Sequence, residues 1–137
     1  MPKAGVHLKQ ATNNEDAARK AAQSGYPDWA ITMFFYAALH YIQAYAIFQG
    51  DNIYELYPDE PNQHERILSY VYDTSWDIKS DLTVFKAYET LFEASKTSRY
   101  LNGISSTSRK HFSKNIDEYS QELAVVRDFI KPLLSKA

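Results

Sequence analysis

Arg99 and Ser95 are the residues whose placement most needs a chemical reason. Both continue the stripe of Tyr88 and Phe92 along one helical segment, although the Lys86, Glu89 and Lys96 face of that segment is polar. An arginine on an apolar face must find an acceptor or reach solvent, because an unpaired buried charge is very costly. Two histidines break the same rule elsewhere. His40 interrupts the most apolar run of the chain, and His64 opens the apolar face formed by Ile67, Leu68 and Val71. If these three segments are neighbours, Tyr36, His40, His64, Tyr88 and Arg99 converge. Imidazoles titrate near neutrality and a guanidinium keeps its charge, so such a cluster suits chemistry or the recognition of a small ligand or nucleotide.

Each residue also has a plain structural explanation. His40 can be a hydrogen-bonded core histidine, His64 a first-turn residue with no role beyond the fold, and Arg99 a side chain snorkelling to the surface. Ser95 and Tyr88 can be packing residues. Arg66 falls on the opposite, polar face near Asp73, where a solvated ion pair is expected. Arg109, Lys110 and His111, with Lys114, make a small basic patch that could touch phosphates and could equally be a solvated face. No histidine pair stands at i, i+4, no His/carboxylate set has metal-ligand spacing, and no glycine-rich loop follows a strand. No metal and no cofactor is therefore expected.

These side chains must be positioned by helices. The chain has 137 residues, 45% hydrophobic and 23% charged, the size and balance of one globular domain. Tyrosine is abundant at 11 residues, which suits a semi-polar core or an interface with a partner. With no cysteine, disulfides, thiolate zinc sites and cysteine nucleophiles are removed, and a reducing, cytoplasmic setting fits. A net charge of −2 gives no global pull on nucleic acid. The first residues lack the apolar stretch of a signal peptide.

Five helices are expected. The first, residues 6–24, is alanine-rich, with Leu8, Ala11, Ala18, Ala21 and Ala22 as its stripe. The second, Pro27–Gln49, is apolar almost all round except for Thr32, Tyr36, His40 and Gln43. Its length approaches a membrane span, but those polar residues point to a buried core helix and not to a membrane. A loop over residues 51–61 leads to Asn62 and Glu65, a capping box opening a helix to about residue 74. Asp81 caps a fourth helix over residues 82–101. The fifth begins near the Ser/Thr cluster at 105–108 and carries Phe112, Ile116, Tyr119, Leu123, Val126, Ile130 and Leu133. Spacings that alternate four and three make a seam for a long neighbouring helix or a partner, including a second copy of the chain. The expected fold is an all-α, up-and-down bundle of four to five helices in one domain.

The string from Tyr26 to Tyr45 (YPDWAITMFFYAALHYIQAY), then His64-Glu65-Arg66, then the run from Tyr88 to Phe92 and Ser98-Arg99-Tyr100, resembles small prokaryotic proteins of the HEPN superfamily. The similarity covers roughly residues 25–101. It implies a helical bundle, often a homodimer, in proteins linked to RNA cleavage, toxin–antitoxin pairs and antiviral defence. Nuclease members carry an arginine followed roughly four to six residues later by a histidine, which act without metal on the RNA backbone as charge stabiliser and proton carrier. This chain departs from that pattern. Neither Arg66 nor Arg99 has such a histidine, and Arg109-Lys110-His111 is too tight. The resemblance thus implies a non-catalytic or divergent member, or a composite endoribonuclease site with His40 or His64 opposite Arg99.

Overall fold

A computed structural model describes residues 2–134, and every regular element among them is a helix. These are α1 (Ala4–Gln23), α2 (Pro27–Gln49), α3 (Ile53–Leu56), α4 (Gln63–Lys79), α5 (Thr83–Tyr100), α6 (Ser108–Phe112) and α7 (Ile116–Leu134). The five long helices form the bundle, and α3 and α6 are single turns in its connections.

The chain enters α2 through a tight corner. Gly25 takes a left-handed φ of +84° just after α1, and Pro27 occupies the first turn of α2, where its missing N–H is not needed. Gly50, at φ +78°, ends α2 by turning its N–H back to the carbonyl of Ile47. Between these limits α2 is the centre of the core. Phe34, Phe35, Tyr41 and Ile42 are essentially sealed, together with Ile67 and Val71 of α4, Leu91 of α5 and Leu123 and Ile130 of α7. Each such side chain stabilises the fold by about 1.5–3 kcal/mol. α2 packs along α1 and against α5 and α7, while α4 lies mainly on α5. Its length and composition would also suit a membrane span, but here most of it is enclosed by the other helices.

The expected loop at 51–61 contains α3, a turn too short to show a period, capped by the Asn52 side chain accepting from the Glu55 N–H at 3.1 Å. The helix expected to stop near residue 74 runs on to Lys79. Trp76 and Ile78 face solvent there, so the apolar pattern fails although the helix does not. The expected start holds at α4, where Asn62 is the cap and accepts from the Glu65 N–H. The fourth long helix begins one residue later than expected: Leu82 takes the cap position, and Asp81 accepts from the Thr83 N–H from just outside it. The seam of the last helix is divided. Phe112 belongs to α6, capped by Thr107, and the chain turns before α7 begins at Ile116. Phe112 still packs with Ile31, Ala94, Ile116 and Tyr119, so the periodic contacts survive the break in the backbone.

Candidate functional site

The half-buried stripe of α2 runs through Thr32, Tyr36, His40 and Gln43, and the candidate site is built around it. Near the C-terminal end of α5, Arg99 reaches back onto its own helix and across to α2. Its Nε donates to the Ser95 carbonyl at 3.2 Å, one Nη to Ser95 Oγ at 3.3 Å, and the other Nη to Tyr36 Oη at 3.3 Å. The guanidinium also lies 5.8 Å from the Tyr36 ring centre and 5.1 Å from that of Tyr100. Ser95 is fully buried and donates to the Phe92 carbonyl at 2.8 Å, which fixes its oxygen as an acceptor for Arg99. All three hydrogen-bonding partners of Arg99 are neutral. No carboxylate among the described residues lies within ion-pair distance of it.

His64, in the first turn of α4, sits against Phe35 and Phe92 with ring centres 5.8 and 5.7 Å away. Its Nδ1 is sealed without a partner. Burial lowers its pKa below the ordinary 6.5 and the Arg99 charge lowers it further, with Glu65 opposing, so the ring is neutral at pH 7. Tyr88 is buried beneath the same aromatic group, edge-on to Phe35, and its hydroxyl finds no partner. Burial, then the neighbouring Tyr36 phenol, pushes its pKa upward. The structure therefore brings Tyr36, His64, Tyr88, Ser95 and Arg99 around one corner of α2, α4 and α5.

His40 does not join them. One turn beyond Tyr36, α2 faces α1, and His40 Nδ1 meets His7 Nδ1 at 2.9 Å. The ring centres are 5.2 Å apart and the planes differ by only 28°, as two imidazoles stand when joined end to end through one hydrogen bond. The two nitrogens thus aim at each other and not at a shared third point. Among the described residues no group of three His, Cys, Asp or Glu is placed to hold a metal ion. Beyond the pair, a groove of about 390 Å³ is lined by His7, Gln43, Ile47, Asp51 and Tyr54.

The basic patch lies at the other end of α2. Arg109 is exposed and covers the Tyr26 ring at 4.8 Å, and Lys110 projects into solvent. Ser98 Oγ donates to the Asp28 carbonyl at 2.7 Å and Ser108 Oγ to the Ser98 carbonyl at 2.6 Å, tying α6 and the end of α5 to the start of α2. Arg66 makes no ion pair with Asp73. It lies 4.5 Å over the Tyr54 ring, while Asp73 accepts from Tyr57 Oη at 2.5 Å. The turn of α3 brings Tyr54 up to Arg66, and that turn was invisible in the pattern.

His7 and the buried Glu15 are absent from the sequence reading. A usable signal existed, because His7, Ala11, Glu15, Ala18 and Ala22 recur at helical spacing and form the face of α1 toward α2. Compared with known proteins, the sequence matches no family model and no curated protein.

Proposed function

We propose that the chain is a HEPN-like helical domain that binds the phosphate of an RNA or nucleotide at Arg99, as a non-catalytic or divergent member of that class. Such a domain belongs in an RNA-associated, toxin–antitoxin or antiviral-defence setting. The observation that carries the proposal is the guanidinium of Arg99, half-buried, held in place by three neutral hydrogen-bond partners and without a counter-ion among the described residues. A structural arginine at such a position usually gains a carboxylate, whereas one aimed by neutral acceptors keeps its charge for a bound anion. The neutral His64 beside it adds neither a counter-charge nor a second cation. The separation of His40 from Arg99, and the missing arginine–histidine spacing, favour binding over standard cleavage.

The test uses purified protein and a labelled RNA oligonucleotide in the presence of a chelator, followed by fluorescence anisotropy and gel analysis of the RNA. Binding is expected for the wild type, to be weakened about tenfold by Arg99→Met, the loss of one charge-assisted contact, and to be unchanged in His40→Ala. Intact RNA is expected throughout. Equal affinity of wild type and Arg99→Met refutes the site, and cleavage abolished by His64→Ala refutes the non-catalytic assignment.

A further inference from the structure

α2 is the most buried helix in the bundle, yet Trp29 in its first turn is 60% exposed. Among the described residues the indole makes no ring contact and no hydrogen bond. Tyr100 is 63% exposed and Tyr26 is 47% exposed, so three large rings at one end of the molecule stay in water. Trp29 and Tyr36 are seven residues apart on α2. That spacing puts them on nearly the same face, about 10 Å apart along the axis. Arg99 then bridges Tyr36 to Tyr100, and Arg109 covers Tyr26. The Ser98–Asp28 and Ser108–Ser98 hydrogen bonds hold these segments in register. Asp28, the acidic residue beside Trp29, turns one carboxylate oxygen into the interior, where it is sealed.

Exposed rings alternating with guanidiniums form the chemistry of a single-strand platform. Every base has a face to stack on an aromatic ring, and the cations follow the backbone between stacked bases. Protein hot spots use the same Trp, Tyr and Arg, but a guanidinium held by neutral acceptors and without an ion pair among the described residues is answered by the phosphate between two stacked bases. From this arrangement we infer that Trp29 and Tyr100 stack unpaired bases on either side of the phosphate held by Arg99, so that the ligand is single-stranded RNA and not a duplex. The inference rests on the phosphate site proposed above and adds to it the residues that select unpaired bases. Tyr26, capped by Arg109, extends the platform toward Lys110.

The experiment uses the full chain, with an oligoriboadenylate and the same strand annealed to its complement as probes. In a Trp76→Phe background the remaining indole is Trp29, and its fluorescence is expected to be quenched by the single strand and unaffected by the duplex. Trp29→Leu and Tyr100→Leu are each expected to weaken single-strand binding by about tenfold, the loss of one stacked base. Both side chains are largely in water, so the variants are expected to keep the wild-type melting temperature. If Arg99→Met weakens binding while Trp29→Leu and Tyr100→Leu do not, the platform is refuted and the phosphate site stands. If no variant changes binding, or the wild type binds no RNA, both fall. Equal affinity for duplex overturns the platform. So does a change from dimer to monomer in Trp29→Leu by sedimentation with RNA affinity intact, which would make the patch a contact between copies.

Discussion

Acidification to about pH 5.5 is expected to destabilise this protein through His7 and His40. Their Nδ1 atoms are 2.9 Å apart, so one ring donates its proton and the other offers a lone pair. Both rings cannot be cationic in that geometry. Burial lowers the pKa of His7 below 6.5, and burial with the His7 charge lowers that of His40. The sign follows from proton counting. The unfolded chain takes up protons below 6.5 while the folded pair resists, so stability is complete above that pH and falls as pH drops through it. A histidine held neutral would cost up to about 1.4 kcal/mol per pH unit in this range. Both rings are half-exposed, which screens the effect, so a combined loss of about 1 kcal/mol over the first unit below 6.5 is the appropriate scale. The groups near the pair from the other side of the groove are Asp51 and Gln63, and neither contacts it. Urea titrations at pH 7.5 and 5.5 on the wild type and on the His7→Gln, His40→Gln double variant provide the assay. The double variant retains His64 and is expected to lose roughly half of the pH dependence, with hydrogen exchange in the first half of α1 accelerating in acid only in the wild type. An identical pH slope in the two proteins would refute the shared-proton account.

Two further outcomes concern the core. Glu15 is 5% exposed, accepts from Tyr41 Oη at 3.0 Å, pairs with Arg127 at 2.6 Å and also pairs with Arg19. Glu15→Ala is expected to cost about 2–4 kcal/mol by denaturant unfolding, below the full penalty for a broken buried pair because both arginines can reach water; a loss under 0.5 kcal/mol would contradict the network. Tyr88→Phe removes a buried hydroxyl without a partner and is expected to leave stability unchanged or raise it by about 1 kcal/mol. A loss above 1 kcal/mol in the melting analysis would mean that the hydroxyl has a partner.

The central role of α2 was legible because a long apolar run with a single polar stripe has few other uses. The corner of Tyr36, Ser95 and Arg99 was legible for a related reason, since a polar residue on a buried face must be answered by another. The fate of His40 was not legible. A stripe is defined along one helix, whereas its neighbours change along that helix, from α5 at Tyr36 to α1 at His40. α1 itself hid its buried face, because alanines give a weak period and His7 and Glu15 look like solvent residues until a partner helix covers them. The end of α4 leaves no mark in the apolar pattern, because exposed Trp76 and Ile78 carry no packing information. The division between α6 and α7 was hidden because Phe112 and Ile116 keep a helical spacing across a turn that is not part of either helix.

Three of the arginines show how the fold can either neutralise a cation or only orient it. Arg127 meets Glu15, and Arg19 meets the same carboxylate, so two cations share one buried anion that also takes the Tyr41 hydroxyl. Burial and Glu15 together push the Tyr41 pKa up to about 12, which keeps the phenol protonated as a donor. Every member of that set is answered within the protein, and the set joins α1, α2 and α7. Arg99 has the same side chain and a similar half-buried setting at the opposite pairing of helices, yet its partners are a carbonyl, a serine and a tyrosine. These acceptors fix its direction without cancelling its charge. A cation that a fold orients but does not neutralise remains available to an external anion, and that distinction, more than the identity of the residue, is the ground for proposing the corner of α2 and α5 as the binding site.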